Sequence, residues 1–369
     1  MPETPYPWGP ASATGLGSLP GTDPAEAMRL IFGELPDLPH LAELPARGPG
    51  ADLTGRTAAF LIELPVETTS TGWRFAARPG RDLSRARSLL SADLDALEET
   101  ASGYQGPLKI QVCGPWTLAA TIELARSQNP ALADMGAVAE LIESLAEGVR
   151  AHVGDVRKRV PGGQLVLQLD EPSLPTVLAG SVPTASGLNR LPAPEAASAE
   201  AGLRNVISAA QTASVVHCCA MSVPFGIIKG SGADGAAFDL SLLRREEEDV
   251  LAEVVEAGLG ILAGVLPATP GSGQVPDATD EYAKRASAGN PPPARWAAER
   301  VTALWGRMGW PVSSRGDGGA AGADSVAGQV VLTPACGLAG ATPGYARAAL
   351  ARCREAARLL PELAEEARG

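Results

Sequence analysis

Leu108-Lys109-Ile110-Gln111-Val112-Cys113 is a short apolar run, and the helical stretch Pro115–Ser127 follows it directly. This strand-then-helix unit recurs along the whole chain. On its N-terminal side the strand candidates are Ala13–Ser18 and Thr57–Leu64. On its C-terminal side they are Gln164–Leu169, Ala213–Cys218, Gly235–Leu240, Gly258–Val265 and Gln329–Thr333. Helical stretches lie between them at Asp23–Phe32, Asp82–Thr100, Gly136–Val160, Glu195–Thr212, Val223–Lys229, Leu242–Glu256, Pro293–Met308 and Gly344–Glu366. Strands alternating with helices predict parallel pairing. Eight strands are the number that closes a barrel, so the predicted fold class is α/β, a single (β/α)8 TIM barrel over residues 1–369. An open doubly wound sheet is the alternative. Gly15-Leu16-Gly17-Ser18-Leu19-Pro20 does not complete the phosphate turn which that fold usually carries.

Composition narrows the function classes. The chain has 369 residues, 45% of them hydrophobic, enough for a large core. Lys plus Arg is 30 against 42 Asp plus Glu, a net charge of −12, which argues against nucleic acid or an anionic membrane as partner. Aromatic residues are only 4%, too few for a stacking groove. The N-terminal run MPETPYPWGP reads as no secretory signal, and no apolar run approaches the ~18 residues of a membrane span. Five cysteines in so long a chain make no disulfide scaffold and fit a reducing cytoplasm.

Pro172–Ala197 and Pro267–Asn290 read as loops after strands four and seven, on the face where barrel enzymes keep their chemistry. Pro311–Gly328 reads as a flexible excursion on the opposite face, with no role in chemistry. Glu246-Glu247-Glu248-Asp249 reads as a solvated helix face.

The most informative stretch for chemistry is Val215-Val216-His217-Cys218-Cys219. Residues two apart on a strand face one side, so His217 and Cys219 converge while Cys218 points away. An imidazole and a thiolate at a strand end are half of a zinc site, although a buried His beside small Cys residues is as often simple packing. Asp239 closes the next strand, and Cys336 follows the last one in Thr333-Pro334-Ala335-Cys336-Gly337-Leu338. In a barrel all four would share the C-terminal rim. Singly, Asp239 is equally a helix cap and Cys336 a small turn residue.

Five motifs in register then resemble a known family: Thr14-Gly15-Leu16-Gly17-Ser18-Leu19-Pro20, Cys113-Gly114-Pro115-Trp116-Thr117-Leu118, Leu167-Gln168-Leu169-Asp170-Glu171-Pro172, His217-x-Cys219 and Cys336-Gly337-Leu338. They look like the C-terminal catalytic barrel of cobalamin-independent methionine synthase, within the group that includes uroporphyrinogen decarboxylase. The resemblance implies a methyltransferase of methionine biosynthesis that moves a methyl group to the thiol of homocysteine, or of a similar thiol. It implies Zn2+ held by His217, Cys219, Asp239 and Cys336, with Asp standing where the family has Glu. It implies that Ser18 and Asp170 hold the amino-acid end of homocysteine. Glu67 is the candidate for the further Glu on the ammonium. Trp116 is read either as the floor of a pterin-sized pocket or as packing at the rim. Two thiolates and a carboxylate on zinc would keep electron density on an incoming sulfur, which favours methyl transfer over hydrolysis.

The chain also departs from the family. It has no room for the N-terminal barrel of the larger members. The segment Gly264-Val265-Leu266-Pro267-Ala268-Thr269 lacks the His expected after strand seven. Methyl-folate is therefore expected to be a slow donor, unless Asp277 or Glu281 supplies the acid. An activated donor, such as a methyl-corrinoid on a partner protein, is the alternative. Decarboxylation of a tetrapyrrole-type substrate and a non-catalytic metal-binding relative are the other readings. The first wants an Arg cluster that Arg29, Arg47 and Arg56 do not make beside strand one.

Overall fold

A computed structural model describes residues 6–271, 289–310 and 326–366. Its strands in chain order are β1 (Val66–Thr68), β2 (Trp73–Phe75), β3 (Gly106–Cys113), β4 (Ile122–Glu123), β5 (Gly163–Asp170), β6 (Ala213–Cys218), β7 (Gly235–Asp239), β8 (Gly260–Leu266) and β9 (Val330–Pro334). Six of them form one parallel sheet in the order β3-β5-β6-β7-β8-β9, and β1-β2-β4 form a small separate sheet. Helices connect each parallel pair, the longest of them being Met135–Arg159, and two further long helices, Arg81–Thr100 and Pro343–Glu366, flank the sheet in sequence before β3 and after β9.

The first two barrel positions are filled by segments without ladders. Ala13 bridges Leu332 of β9, Ser18 bridges Glu43, and His40 bridges Lys109 of β3, all in parallel. These single bridges stand where continuous ladders would close the barrel, so the regular sheet is a curled, six-stranded, TIM-barrel-like array. Gly17 explains part of the interruption, since its φ of 121° lies outside any strand conformation. Pro36, Pro39 and Pro45 explain the rest, because proline offers no ladder donor.

The second strand therefore lies at 39–43 and not at Thr57–Leu64 as the sequence suggests. Leu53–Ala58 is a helix instead, started by the Asp52 carboxylate, which accepts from the Gly55 N–H. The helix predicted for Pro115–Ser127 also stops early, at Thr121, where the chain turns into β4 beside β2. The expected flexible excursion Pro311–Gly328 falls mostly outside the described residues, as do Asp277 and Glu281.

Two apolar layers hold the array. The larger lies between the sheet's outer face and the helices. The smaller fills one end of the interior with Trp8, Leu16, Val166, Val215, Leu262 and Val331 among its members. Trp8 plugs that end: a Cβ at Gly235 or Gly260, which open β7 and β8, would collide with its indole. Since side chains alternate along a strand, the positions following Val166 and Val215 on the same face are Gln168, Asp170 and His217. The interior is thus apolar at the strand starts and polar toward the strand ends.

Candidate metal centre and its surroundings

β6 delivers His217 to the interior, and Cys219 lies just past the strand end. Cys336 follows β9. One ligand atom from each of His217, Cys219 and Cys336 lies within 4.8 Å of the others. The two Sγ atoms share a hydrogen bond at 3.1 Å. That hydrogen bond, the largest influence on Cys336, draws its thiol down to about 6, while the same bond and burial push Cys219 up. One thiol of the pair is therefore easier to deprotonate than the other. Cys218 is fully buried on the other side of β6, its thiol pushed up to about 12, chiefly by burial.

His217 is oriented from behind. Its Nδ1 lies 2.6 Å from Oδ1 of Asp170, the residue directly across in the β5–β6 register. Gln168 Nε2 donates to the same Oδ1 at 2.6 Å and to the Leu16 carbonyl at 3.0 Å. Burial opposes a charge on His217, but the hydrogen bond and charge of Asp170 outweigh it and raise its pKa. With Nδ1 engaged, the other ring nitrogen, Nε2, is buried and has no hydrogen-bond partner. An orphaned imidazole nitrogen grouped with two thiols fits a divalent metal of the zinc type. A carboxylate behind the ligating His is the usual supporting arrangement.

The neighbouring motifs hold this frame. Glu171 is fully buried and accepts from the Trp116 N–H at 2.9 Å, the Thr117 N–H at 2.8 Å and the Thr117 hydroxyl at 2.7 Å. The Gly114 N–H donates to the Asp170 carbonyl at 2.8 Å, and a Cβ at Gly114 would run into the Glu171 side chain. The Asp-Glu-Pro and Cys-Gly-Pro-Trp-Thr segments therefore lock together and fix Asp170. Replacing Glu171 by alanine strands three buried donors. The expected loss of stability is roughly 3–5 kcal/mol, checked by denaturant unfolding, with Glu171→Gln losing less.

Ser18 joins the same rim. Its carbonyl accepts from Leu338 N–H at 2.8 Å, and a Cβ at Gly337 would collide with its hydroxyl, so Cys336-Gly337-Leu338 and the Gly17-Ser18 turn pack as one unit. The remaining sequence candidates are placed elsewhere. Asp239 turns its carboxylate to the Ser241 N–H at 2.8 Å and hydroxyl at 2.7 Å, closing a tight turn well before the next α-helix begins at Glu248, and is not in the His217–Cys219–Cys336 group. Glu67 lies on the β1–β2 hairpin, half-exposed and paired with Arg74 at 2.5 Å. Trp116 is 1% exposed and donates its indole N–H to Ala199 in the helical layer, so its ring does not face the opening.

A carboxylate that the sequence patterns do not single out stands closer. Glu43 is buried, bridges to Ser18 through the backbone, and interacts electrostatically with Asp170. Burial pushes it up to about 7 against the pull of Arg56, 3.6 Å away. Its signal in the sequence is His40-Leu41-Ala42-Glu43, a short strand masked by flanking prolines.

No protein-family profile matches the sequence, and no curated protein is similar to it in sequence. Among solved structures, a B12-independent methionine synthase from Shewanella sp. W3-18-1, in complex with selenomethionine, superposes with a TM-score of 0.57 at 12% identity. The match covers 97% of this chain and 99% of that one. The chain shares that synthase's fold. Both the barrel expected from the βα alternation and the resemblance read from the five motifs agree with this neighbour.

Proposed function

We propose that the protein is a zinc-dependent S-methyltransferase that methylates the thiol of homocysteine to give methionine. The observation that carries this is the His217–Cys219–Cys336 group at the strand ends of a methionine-synthase fold. Zinc held by these three residues would supply a Lewis acid that keeps an acceptor sulfur deprotonated near neutral pH. Asp170 holds the Nδ1 proton of His217, which leaves Nε2 as the ligating atom. Ser18, Glu43 and Asp170 offer a hydroxyl and two carboxylates for the ammonium end of an amino-acid thiol, with Glu43 in place of Glu67. Their contribution is positioning.

Over the whole reaction the acceptor exchanges its S–H proton, released before the transfer, for an S–CH3 bond. The donor nitrogen of methyl-folate gains a proton as its N–CH3 bond breaks. Gly264–Thr269, the end of β8 and the turn after it, carries no acid to supply that proton. A positioned acid typically contributes ~10²–10⁴-fold, so methyl-folate is expected to turn over more slowly than the order of 1 s⁻¹. The structurally similar synthase is B12-independent, so a corrinoid partner gains no support from it. Metal-free decarboxylation would leave the dithiol and the orphaned imidazole without a purpose. No helix among the described residues is long and apolar enough to cross a membrane, and none of the five cysteines is in a disulfide.

The test is methionine formation from homocysteine with methyl-folate as sole donor, lost on chelation and restored by zinc. Absence of methionine from zinc-loaded protein supplied with methyl-folate and, separately, with an activated methyl sulfonium donor would overturn the proposal. Purified protein is expected to hold about one zinc per chain, and Asp239→Asn is expected to retain it, since that carboxylate is spent on Ser241. Zinc lost from this variant would return Asp239 to the ligand set.

A further inference from the structure

The two segments that lack continuous ladders are held from inside by a pair of glutamines. Gln111 on β3 is buried and donates its Nε2 to the Leu41 carbonyl of the 39–43 segment, and a Cβ at Gly17 would collide with its side chain. Gln168 stands directly opposite it in the β3–β5 register, fully buried, and donates its Nε2 to the Leu16 carbonyl at 3.0 Å. Leu16 belongs to the segment bridged to β9 and to 39–43, whereas β5 pairs with β3 and β6. The Gln168 side chain therefore crosses the interior, and two residues beyond its partner the segment presents Ser18.

The same Nε2 donates to Asp170 Oδ1 at 2.6 Å, the oxygen that lies 2.6 Å from His217 Nδ1. Both hydrogens of the amide are thus engaged. Turning the amide over would set Oε1 against a carbonyl and a carboxylate, acceptor facing acceptor. As it stands, Oε1 is buried without a hydrogen-bond partner. Such a group costs roughly 1–3 kcal/mol, which an apolar methionine of the same length would avoid. Packing alone gives no reason for glutamine here; the two donations do. The torsion that turns a carboxylate is broad and two-fold, so one donor leaves it loose. Oδ1 is pinned from two sides, by Gln168 and by His217. Oδ2 accepts from no group among the described residues, which leaves it for an outside donor.

We propose that Gln168 is a positioning residue of the metal centre: it holds Asp170 Oδ1 against His217 Nδ1 and ties that contact across the interior to the turn that carries Ser18. It touches neither metal nor acceptor and acts through Asp170. His217 thereby keeps its proton on Nδ1 and its Nε2 lone pair free. This role rests on His217 being a metal ligand, as in the reading above.

The test compares the full-length wild type with Gln168→Met, which keeps the length and removes both donors. Labelling histidine with 15N gives three imidazoles, His40, His152 and His217, and His217→Gln assigns the third. In zinc-free protein, at a pH where His217 is neutral, its Nδ1 hydrogen is expected to exchange slowly in the wild type. In Gln168→Met it should exchange about tenfold faster or more, with the Nε2–H tautomer appearing. His40, whose Nδ1 lies 3.0 Å from the Leu41 carbonyl, is the internal control and should not change. Zinc affinity, read by competition with a coloured chelator, should fall about 10–100-fold. A residue that only ties strands together would lower the melting temperature and leave the His217 signals as they were. Unchanged His217 signals overturn the proposal whatever the melt shows, and so does unchanged zinc affinity. Should Gln168→Met fail to fold, Gln168→Leu makes the same comparison. The spectra involve neither zinc nor homocysteine, so a zinc-loaded wild type that forms no methionine would refute the functional reading while leaving the role of Gln168 standing.

Discussion

Cys336→Ala is expected to leave the protein folded, largely free of zinc and without measurable methyl transfer. Structural zinc sites bind with apparent free energies of roughly 10–16 kcal/mol at neutral pH. Shared over three protein ligands, one thiolate accounts for about a third of that, or roughly 10²–10⁴-fold in affinity. The loss is not softened by a spare ligand, because Asp239 is held in its own turn by Ser241. Nor should the fold suffer: Cys336 is only partly buried, and the turn it opens is anchored by the backbone contact between Leu338 and Ser18. Cys218→Ala is the matching control, since that thiol sits across the strand from the group and its loss should leave zinc stoichiometry unchanged. Elemental analysis after dialysis against a weak chelator, beside a thermal melt, separates these outcomes. Full zinc retention in Cys336→Ala would remove Cys336 from the ligand set.

The legibility of this architecture follows the continuity of its local signals. β3, β5 and β6 each carry apolar residues at regular strand spacing, and the observed strands coincide with the sequence reading to within two residues at each end. Their regularity also makes His217 and Cys219 readable as a pair, because period two needs only a straight strand. The 39–43 segment has no such signal. It is short, lies among Pro36, Pro39 and Pro45, and is held to β3 by few backbone hydrogen bonds, so tertiary placement decides its conformation. A reading that misses this strand also misses Glu43 at its end, and it draws Glu67 from the wrong connection. Asp239 illustrates a different limit. An acidic residue at a strand end suits a ligand and a helix cap equally in sequence, and in the structure its carboxylate bonds to Ser241 in a turn, while the α-helix begins only at Glu248. Trp116 misleads for a related reason: its place after a strand end suggests the rim, but the short helix it opens turns the ring outward against Gly202 and Ala199.

Asp170→Asn is expected to be the most damaging change among residues that do not themselves ligate. The carboxylate lies 47 residues from His217 in sequence, yet its Oδ1 is 2.6 Å from Nδ1 of the imidazole. Asparagine keeps the volume but can turn an NH2 group toward that nitrogen. The imidazole would then be driven to the other tautomer, with its proton on Nε2, the atom that needs a free lone pair to ligate. Loss of such a supporting group typically costs 10–100-fold in metal affinity or activity. Asp170 also faces Glu43 and Lys109, so the same substitution removes one of the two negative charges proposed to face the acceptor's ammonium. The two losses act on different quantities, and their product is expected to lower kcat/KM by roughly 10³-fold. Saturating zinc should recover the first part and leave a raised KM for homocysteine as the second. Acceptors without an ammonium group discriminate further, since for them only the metal-linked part should appear. An Asp170→Asn protein with unaltered zinc affinity and unaltered KM would show that the Asp170–His217 contact supports neither the metal centre nor the acceptor.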